Sequence, residues 1–509
     1  MKPLHQFLLV FYTILSTQIW AQEGNKKIRV ENANSLEFNE QFSEAQVLKG
    51  NVVLSHQGTF LYCDSAYLFD KENRLEAFSN VRIESDTVKI TGNRLTYNAN
   101  EKQALINGDV VLTDPGTILT TNELYYNTAT GVANYITGGK IVSNRNKNEL
   151  TSEFGSYFSK EKNFYFKRKV VLINEKYTMF GDTLRYNTLS ETAFFLGPTT
   201  IKSKENTIYC ENGYYNTKTD IAEFGKNAWI KGKTQKIKGQ SLYYDRKLAF
   251  GKALRNVEVI DSVQRVKVTG NYALYYEINE RVTVTDSALF HQFFENDTLI
   301  LHADTLKAFT PANTGYRTFK AYAHCQFLKK DMQGKCDTLI YSYADSVMRM
   351  YGKPIIWSDE NQLTGNFTTI HLKNSKVDHL ILHENGVIAS KEDTVRFNQI
   401  KGKTITGFFT NNELRKIDVK GNGQSVYYSK DDKNDYIGIN KAICSDMEIL
   451  LDSSKVEEIL FLTQPEAVFY PVNELGYKEW MLKDFKWLGA FRPREVKHLF
   501  KWLFPTTET

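Results

Sequence analysis

Proline is scarce in this chain, at nine of 509 residues, and so are cysteine (five), tryptophan (six) and methionine (seven). So few prolines exclude a collagen-like or proline-rich linker protein, and five cysteines in a chain this long exclude a disulfide scaffold. Neither sign of charge is in excess: 64 Lys and Arg against 59 Asp and Glu give a net charge of +5. That balance offers no electrostatic footprint for nucleic acid, and no local basic stripe replaces it. No apolar run reaches the roughly 20 residues that a membrane-spanning helix needs. What is abundant is Phe (32) and Tyr (29), residues that favour strands and that disordered chains lack.

Residues Met1 to Ala21 have the layout of a cleaved secretory signal: Lys2 gives positive charge, Leu8 to Ile14 a short apolar core, and Ala21 a small residue before Gln22. Ile19 departs from the usual small residue. Thr13, Ser16, Thr17 and Gln18 interrupt the apolar stretch, which argues against a membrane anchor. No Cys lies just past Ala21, so a lipidated amino terminus is not expected. The mature chain is therefore expected outside the cytoplasm.

A repeat of about 29 residues organises the rest. The segment Gly92-Asn93-Arg94-Leu95-Thr96-Tyr97-Asn98 recurs at 121–127, 181–187, 210–216 and 239–245, and its tyrosines fall at 97, 126, 186, 215 and 244. Looser copies begin at Cys63, Gly270, Ala303, Cys336, Gly365, Gly402 and Ser445, with intervals that lengthen toward the carboxyl end. Cys63, Cys210 and Cys336 occupy the slot otherwise held by Gly, Ala, Ser or Thr, which makes them small packing residues. Cys325 and Cys336 are near enough in sequence to pair, but no C-x-x-C is present. Within each unit the apolar period is two, as in Val52 and Leu54, Val110 and Leu112, or Val257 and Val259. That alternation predicts strands with one packed face, and Asn, Asp and Gly clusters mark the turns between them. A unit of two strands and two turns cannot bury its own apolar face, whereas stacked units can. The expected fold is all-β, an elongated jellyroll solenoid, regular over 22–300, looser over 301–460, and ending in a Pro- and Trp-rich segment at 461–509.

The stretch Leu48-Lys49-Gly50-Asn51-Val52-Val53-Leu54-Ser55-His56-Gln57-Gly58-Thr59-Phe60-Leu61-Tyr62-Cys63-Asp64, echoed by Gly108-Asp109-Val110-Val111-Leu112 and Asn80-Val81-Arg82-Ile83, resembles the OstA-like family. That family comprises the periplasmic lipopolysaccharide-transport bridge protein and the soluble amino-terminal domain of its outer-membrane partner. The resemblance is sharpest over 45–130 and diffuse to about 300. It implies a half-open β-jellyroll whose apolar interior holds acyl chains, and whose edge strands pair with neighbouring jellyrolls and an outer-membrane translocon. On that basis lipopolysaccharide or a similar glycolipid is the expected ligand, in the periplasm or at the outer membrane. Val52, Leu54, Val81, Ile83, Val88, Ile90, Val110 and Leu112 are the expected groove residues. The competing reading of the same alternation is a closed core. This chain is longer than the bridge proteins and shows no room for a transmembrane barrel.

Sites for chemistry are not evident. His379 and His383 lie four apart on an apparent strand, roughly 13 Å along it, too far for one metal. Gly421-Asn422-Gly423 begins like a phosphate loop, but Val426 stands where the third Gly belongs and no helix is expected to follow, so the segment reads as a turn. There is no G-x-S-x-G and no H-E-x-x-H. No cofactor or catalytic residue is implied. A β-helical carbohydrate-active enzyme and a structural or adhesive repeat protein are the alternatives, distinguished by acids clustered on an outer face or by a dry core. Near the carboxyl end, Val496, Leu499, Phe500 and Leu503 have helical spacing, which predicts a partly helical cap or a docking element.

Overall fold

The computed structural model describes residues 27–503 apart from 39–43, 87, 144–147, 314, 375, 411–412, 453–454 and 472–479. The expected signal segment lies outside the described residues. The chain forms two compact units, one ending at Leu189 and the other beginning at Ser190. Among the described residues no helix is long and apolar enough to cross a membrane.

In the first unit the repeat is a bent hairpin. Gln46–His56 pairs antiparallel with Thr59–Phe69, which pairs with Arg74–Ser85, and the meander continues through Tyr177–Asn187. Midway along, each long strand turns a corner, where the register shifts because two residues oppose one on the neighbour. Those two adopt left-handed backbone: Gly50 and Asn51, Ser79 and Asn80, Gly108 and Asp109, Arg168 and Lys169. The corners fold the sheet lengthwise into two facing half-sheets, and their spacing along the chain is the repeat length.

This geometry accounts for five of the seven residues of the recurring segment. Gly92 faces the fold line, where a Cβ would stand 2.5 Å from Ile106 Cγ2. Asn93 sits at the corner, its amide 3.3 Å from Asp109. Leu95 and Tyr97 point inward and are buried. Asn98 ends the strand, its Oδ1 accepting from the backbone N–H of Asn100 and Glu101.

The second unit repeats the plan, with corners at Lys226 and Asn227, Arg255 and Asn256, Ala323 and His324, and Glu384 and Asn385. The lengthening intervals come from longer strands, such as Glu413–Lys430 and Tyr436–Asp452. Gly421 and Asn422 form another such corner, with a register shift between Lys420 and Gly423.

Residues 480–503 fold back over the outer face of this unit. Gln399 donates to the Trp480 carbonyl and accepts from Leu482 N–H, and Gln362 does the same with Lys486 and Leu488. Trp480 and Leu482 pack with Val426, Tyr428 and Ile439. The expected helical face does not form there. Only a short 3₁₀ turn spans Val496–Phe500, with Leu499 buried while Phe500 and Leu503 stay exposed.

Candidate functional site

The space between the two half-sheets is lined mainly by apolar side chains, but it is open to a different degree in the two units. In the first unit, inward residues form cross-strand ladders. Leu54 faces Leu61, then Ile83, Ile90, Leu112 and Leu119 follow, each directly opposite the next. All eight expected groove residues point into this interior, and none is more than 3% exposed. Val52, Val81 and Val110 lie beside the fold line, opposite Cys63, Gly92 and Thr121, while Val88 sits at the far rim opposite Ser85. The eight share one buried face, and the protein's own side chains fill it.

Tyrosines close the mouth of that interior. Tyr97, Tyr126 and Tyr157 project inward from one half-sheet, and their hydroxyls reach the rim of the other. Tyr97 lies 2.6 Å from His56 Nδ1, the Tyr126 hydroxyl lies beside the Ser85 side chain, and Tyr157 donates to the Asp114 carboxylate. Burial raises the pKa of all three hydroxyls, and the Asp114 charge adds to the effect at Tyr157. Lys162, at a turn of the tyrosine-bearing half-sheet, adds two contacts to Asp114 at 2.9 and 3.0 Å. The rim partners 56, 85 and 114 are themselves 29 residues apart.

The second unit lacks this seal over residues 199–300. Its equivalent ladder runs Ile201, Ile208, Ile230, Ile237, Val259, Val268, Phe290, each opposite the next. All seven are half-buried, whereas the fold-line residues beneath them (Thr199, Cys210, Ala228, Gly239, Val257, Gly270) are buried. The tyrosines opposite this stretch serve their own half-sheet or solvent: Tyr244 donates to Glu277, at a turn of its own half-sheet, and Tyr275 is 37% exposed. Burial and the Glu277 carboxylate push Tyr244 up to about 12. The rim positions at the same 29-residue spacing are Ser203, Gly232 and Asp261. Ser203 bonds Asn206, Gly232 has no side chain, and Asp261 accepts from the backbone of Val263 and Gln264 and from Gln235.

The result is a furrow with a buried floor and one half-buried apolar wall, the row from Ile201 to Phe290, facing a half-sheet whose inward Phe224, Leu242, Ala253 and Ala273 are buried. Six inter-strand steps at about 4.8 Å make it about 29 Å long. Beyond Phe290 the row continues into Leu301 and Phe327, both buried, so the furrow closes there. Its outer wall is polar: Glu258 lies 2.7 Å from Lys238 and 2.8 Å from Lys267, hydrogen bonds that hold its carboxyl below the usual range.

The histidines noted in the sequence carry structure. His379 stacks on His371 from the neighbouring strand, and His383 stacks on Phe367, each at 4.1 Å between ring centres. Among the described residues no group of three or more His, Cys, Asp or Glu side chains is arranged to hold a metal.

The alternation located the buried face. It did not distinguish the sealed half from the open one, because the tyrosines recur in both. The available signal was at the rim, where His56, Ser85 and Asp114 give way to Ser203, Gly232 and Asp261 at the same spacing.

Residues 25–182 and 169–240 match the family model described as OstA-like protein. Residues 267–376 match that described as LptA/(LptD N-terminal domain) LPS transport protein. Among solved structures, the chain is similar to LptH, the LptA-homologous periplasmic component of the lipopolysaccharide transport device of Pseudomonas aeruginosa. The identity is 15%, the match covers 23% of this chain and 82% of that one, and the TM-score is 0.20. No curated protein matches the chain.

Proposed function

Since this chain belongs to the OstA-like family of lipopolysaccharide-transport proteins, we propose that it is a non-enzymatic carrier whose second-unit furrow shelters the acyl chains of lipopolysaccharide. The observation that carries this reading is the half-buried row from Ile201 to Phe290, an apolar wall without the tyrosine seal of the first unit. Exposing a saturated chain of about a dozen carbons to water costs on the order of 10 kcal/mol, at about 0.8 kcal/mol per methylene. An open trough removes that cost while gripping no single point, so a chain can slide along it. The eight inward residues of the first unit are then a reserve surface, reached only when the seam between half-sheets parts.

The chain would work in the periplasm, handing its cargo on through end-to-end pairing with other jellyrolls and, at one end, an outer-membrane translocon. Edge strands support this part of the reading. Ser35–Phe38 leaves Leu36 and Phe38 exposed, and Glu466–Pro471 leaves Val468 and Phe469 exposed. Each pairs on one side only among the described residues, which suits strand addition.

Site-specific photocrosslinking tests the furrow. Photoreactive residues at Ile230 and Val259 should yield adducts with lipopolysaccharide, while outward Glu258 and Lys267 should not. Adducts from the outward positions alone would overturn the proposal.

A further inference from the structure

Cys325 and Cys336 are directly opposite each other on the paired strands Thr318–Leu328 and Met332–Ser342. They occupy the first register position past a corner, the place held elsewhere by Val52 against Cys63, Val81 against Gly92 and Val257 against Gly270. Cys63, Cys210 and Cys444 face Val52, Thr199 and Gly423 at that position, so a cysteine meets a cysteine only at 325 and 336. Both are fully buried and both are free thiols. Directly opposite residues of an antiparallel pair have Cα atoms about 4.5–5.5 Å apart, inside the roughly 4.4–6.8 Å that a disulfide spans.

From this register we infer that Cys325 and Cys336 are a redox site, oxidised to a cross-strand disulfide by exchange with a disulfide-bearing oxidant. Two thiols give up two protons and two electrons and one S–S bond forms. The oxidant's own S–S bond takes them and breaks into two thiols. Burial pushes the Cys336 thiol well above its ordinary range, so the exchange belongs to folding, before the corner closes over the pair. The next residues, Gln326 and Lys335, point to the outer face and hold the folded-back tail through the Leu499 and Leu503 carbonyls. The bond therefore ties together two of the strands that anchor the tail.

Refolding the full-length chain from denaturant with oxidised glutathione, followed by alkylation under denaturing conditions and peptide mapping, tests this. The expected result is three alkylated cysteines and one linked peptide pair containing Cys325 and Cys336. The link should be lost in Cys325→Ser or Cys336→Ser and kept when Cys63, Cys210 and Cys444 are all serine. The mapping of the unaltered chain does not depend on any variant folding. Five alkylated cysteines after this treatment, or a link through Cys63, Cys210 or Cys444, would overturn the inference.

Discussion

Asp114 concentrates the difference between a sealed and an open interior, so Asp114→Asn is the sharpest perturbation of the first unit. The carboxylate is 4% exposed, accepts the Tyr157 hydroxyl, and lies 2.9 and 3.0 Å from the Lys162 ammonium. Asparagine keeps the shape but removes the charge, and it replaces one acceptor with a donor that faces donors. Each hydrogen bond to a charged group is worth about 1.5–3 kcal/mol. The Lys162 side chain is 22% exposed, so part of its share is recovered from water. A net loss of about 2–4 kcal/mol follows, or about 5–15 °C in the melting temperature of a unit this size. Urea unfolding with two probes measures the loss. Hydrogen exchange should localise it to strands Gln103–Asp114, Thr117–Asn127 and Phe154–Phe158. Parting the seam should also raise lipopolysaccharide crosslinking from a photoreactive residue at Leu112. An unchanged urea midpoint together with unchanged exchange in these strands would refute the claim that the cross-mouth contacts hold the first unit shut.

Four further outcomes are expected. Val259→Asp places a carboxylate on the open wall, where water still reaches it. Thermal melting should shift little, within about 1 kcal/mol, while crosslinking from Ile230 to lipopolysaccharide should fall at least tenfold; retained crosslinking would move the lipid elsewhere. Ala323 holds left-handed backbone at a corner, so Ala323→Gly should stabilise by about 0.5–1 kcal/mol once glycine's own entropy is subtracted, measured by denaturant midpoint. Gln399→Ala removes a two-point hold on the tail, leaving the Trp480 carbonyl and Leu482 N–H without it. It should cost about 2–3 kcal/mol and speed proteolysis within 480–503. Burial lowers the pKa of His302, which packs on Phe500 at 4.6 Å, and also lowers those of His291 and His383. Below about pH 6.5 the unfolded chain binds protons that these folded histidines resist. Their contribution is thus intact at higher pH and declines as pH falls from there. A midpoint that does not drop between pH 7 and 5 in wild type relative to His302→Gln would count against it.

Much of the architecture was legible because the repeat writes it many times over. Alternation at Val52, Leu54, Val110 and Leu112 identified the inward face, and each proved buried, since a period of two leaves the packed side of a strand unambiguous. The Asn and Gly clusters located the turns, and the small slot at Cys63 and Cys210 proved to be the fold line. The helical spacing at Val496 to Leu503 misled. A spacing argument assumes the segment buries a face of its own, whereas here glutamines of the sheet hold the tail's backbone in an extended path. The Gly421-Asn422 pair read as a turn because corner and turn demand the same left-handed backbone.

What the amino acids determine alone is local: strand faces, turns, corners and the 29-residue period all follow from backbone preference and alternation within one unit. Whether the interior is shut or open depends on pairs of residues 41 or more positions apart, a tyrosine from one half-sheet and a rim side chain from the other. Those pairs exist only once the sheet has folded along its corners. The tertiary structure therefore decides which tyrosines find a partner across the gap, and with that where the apolar interior meets water.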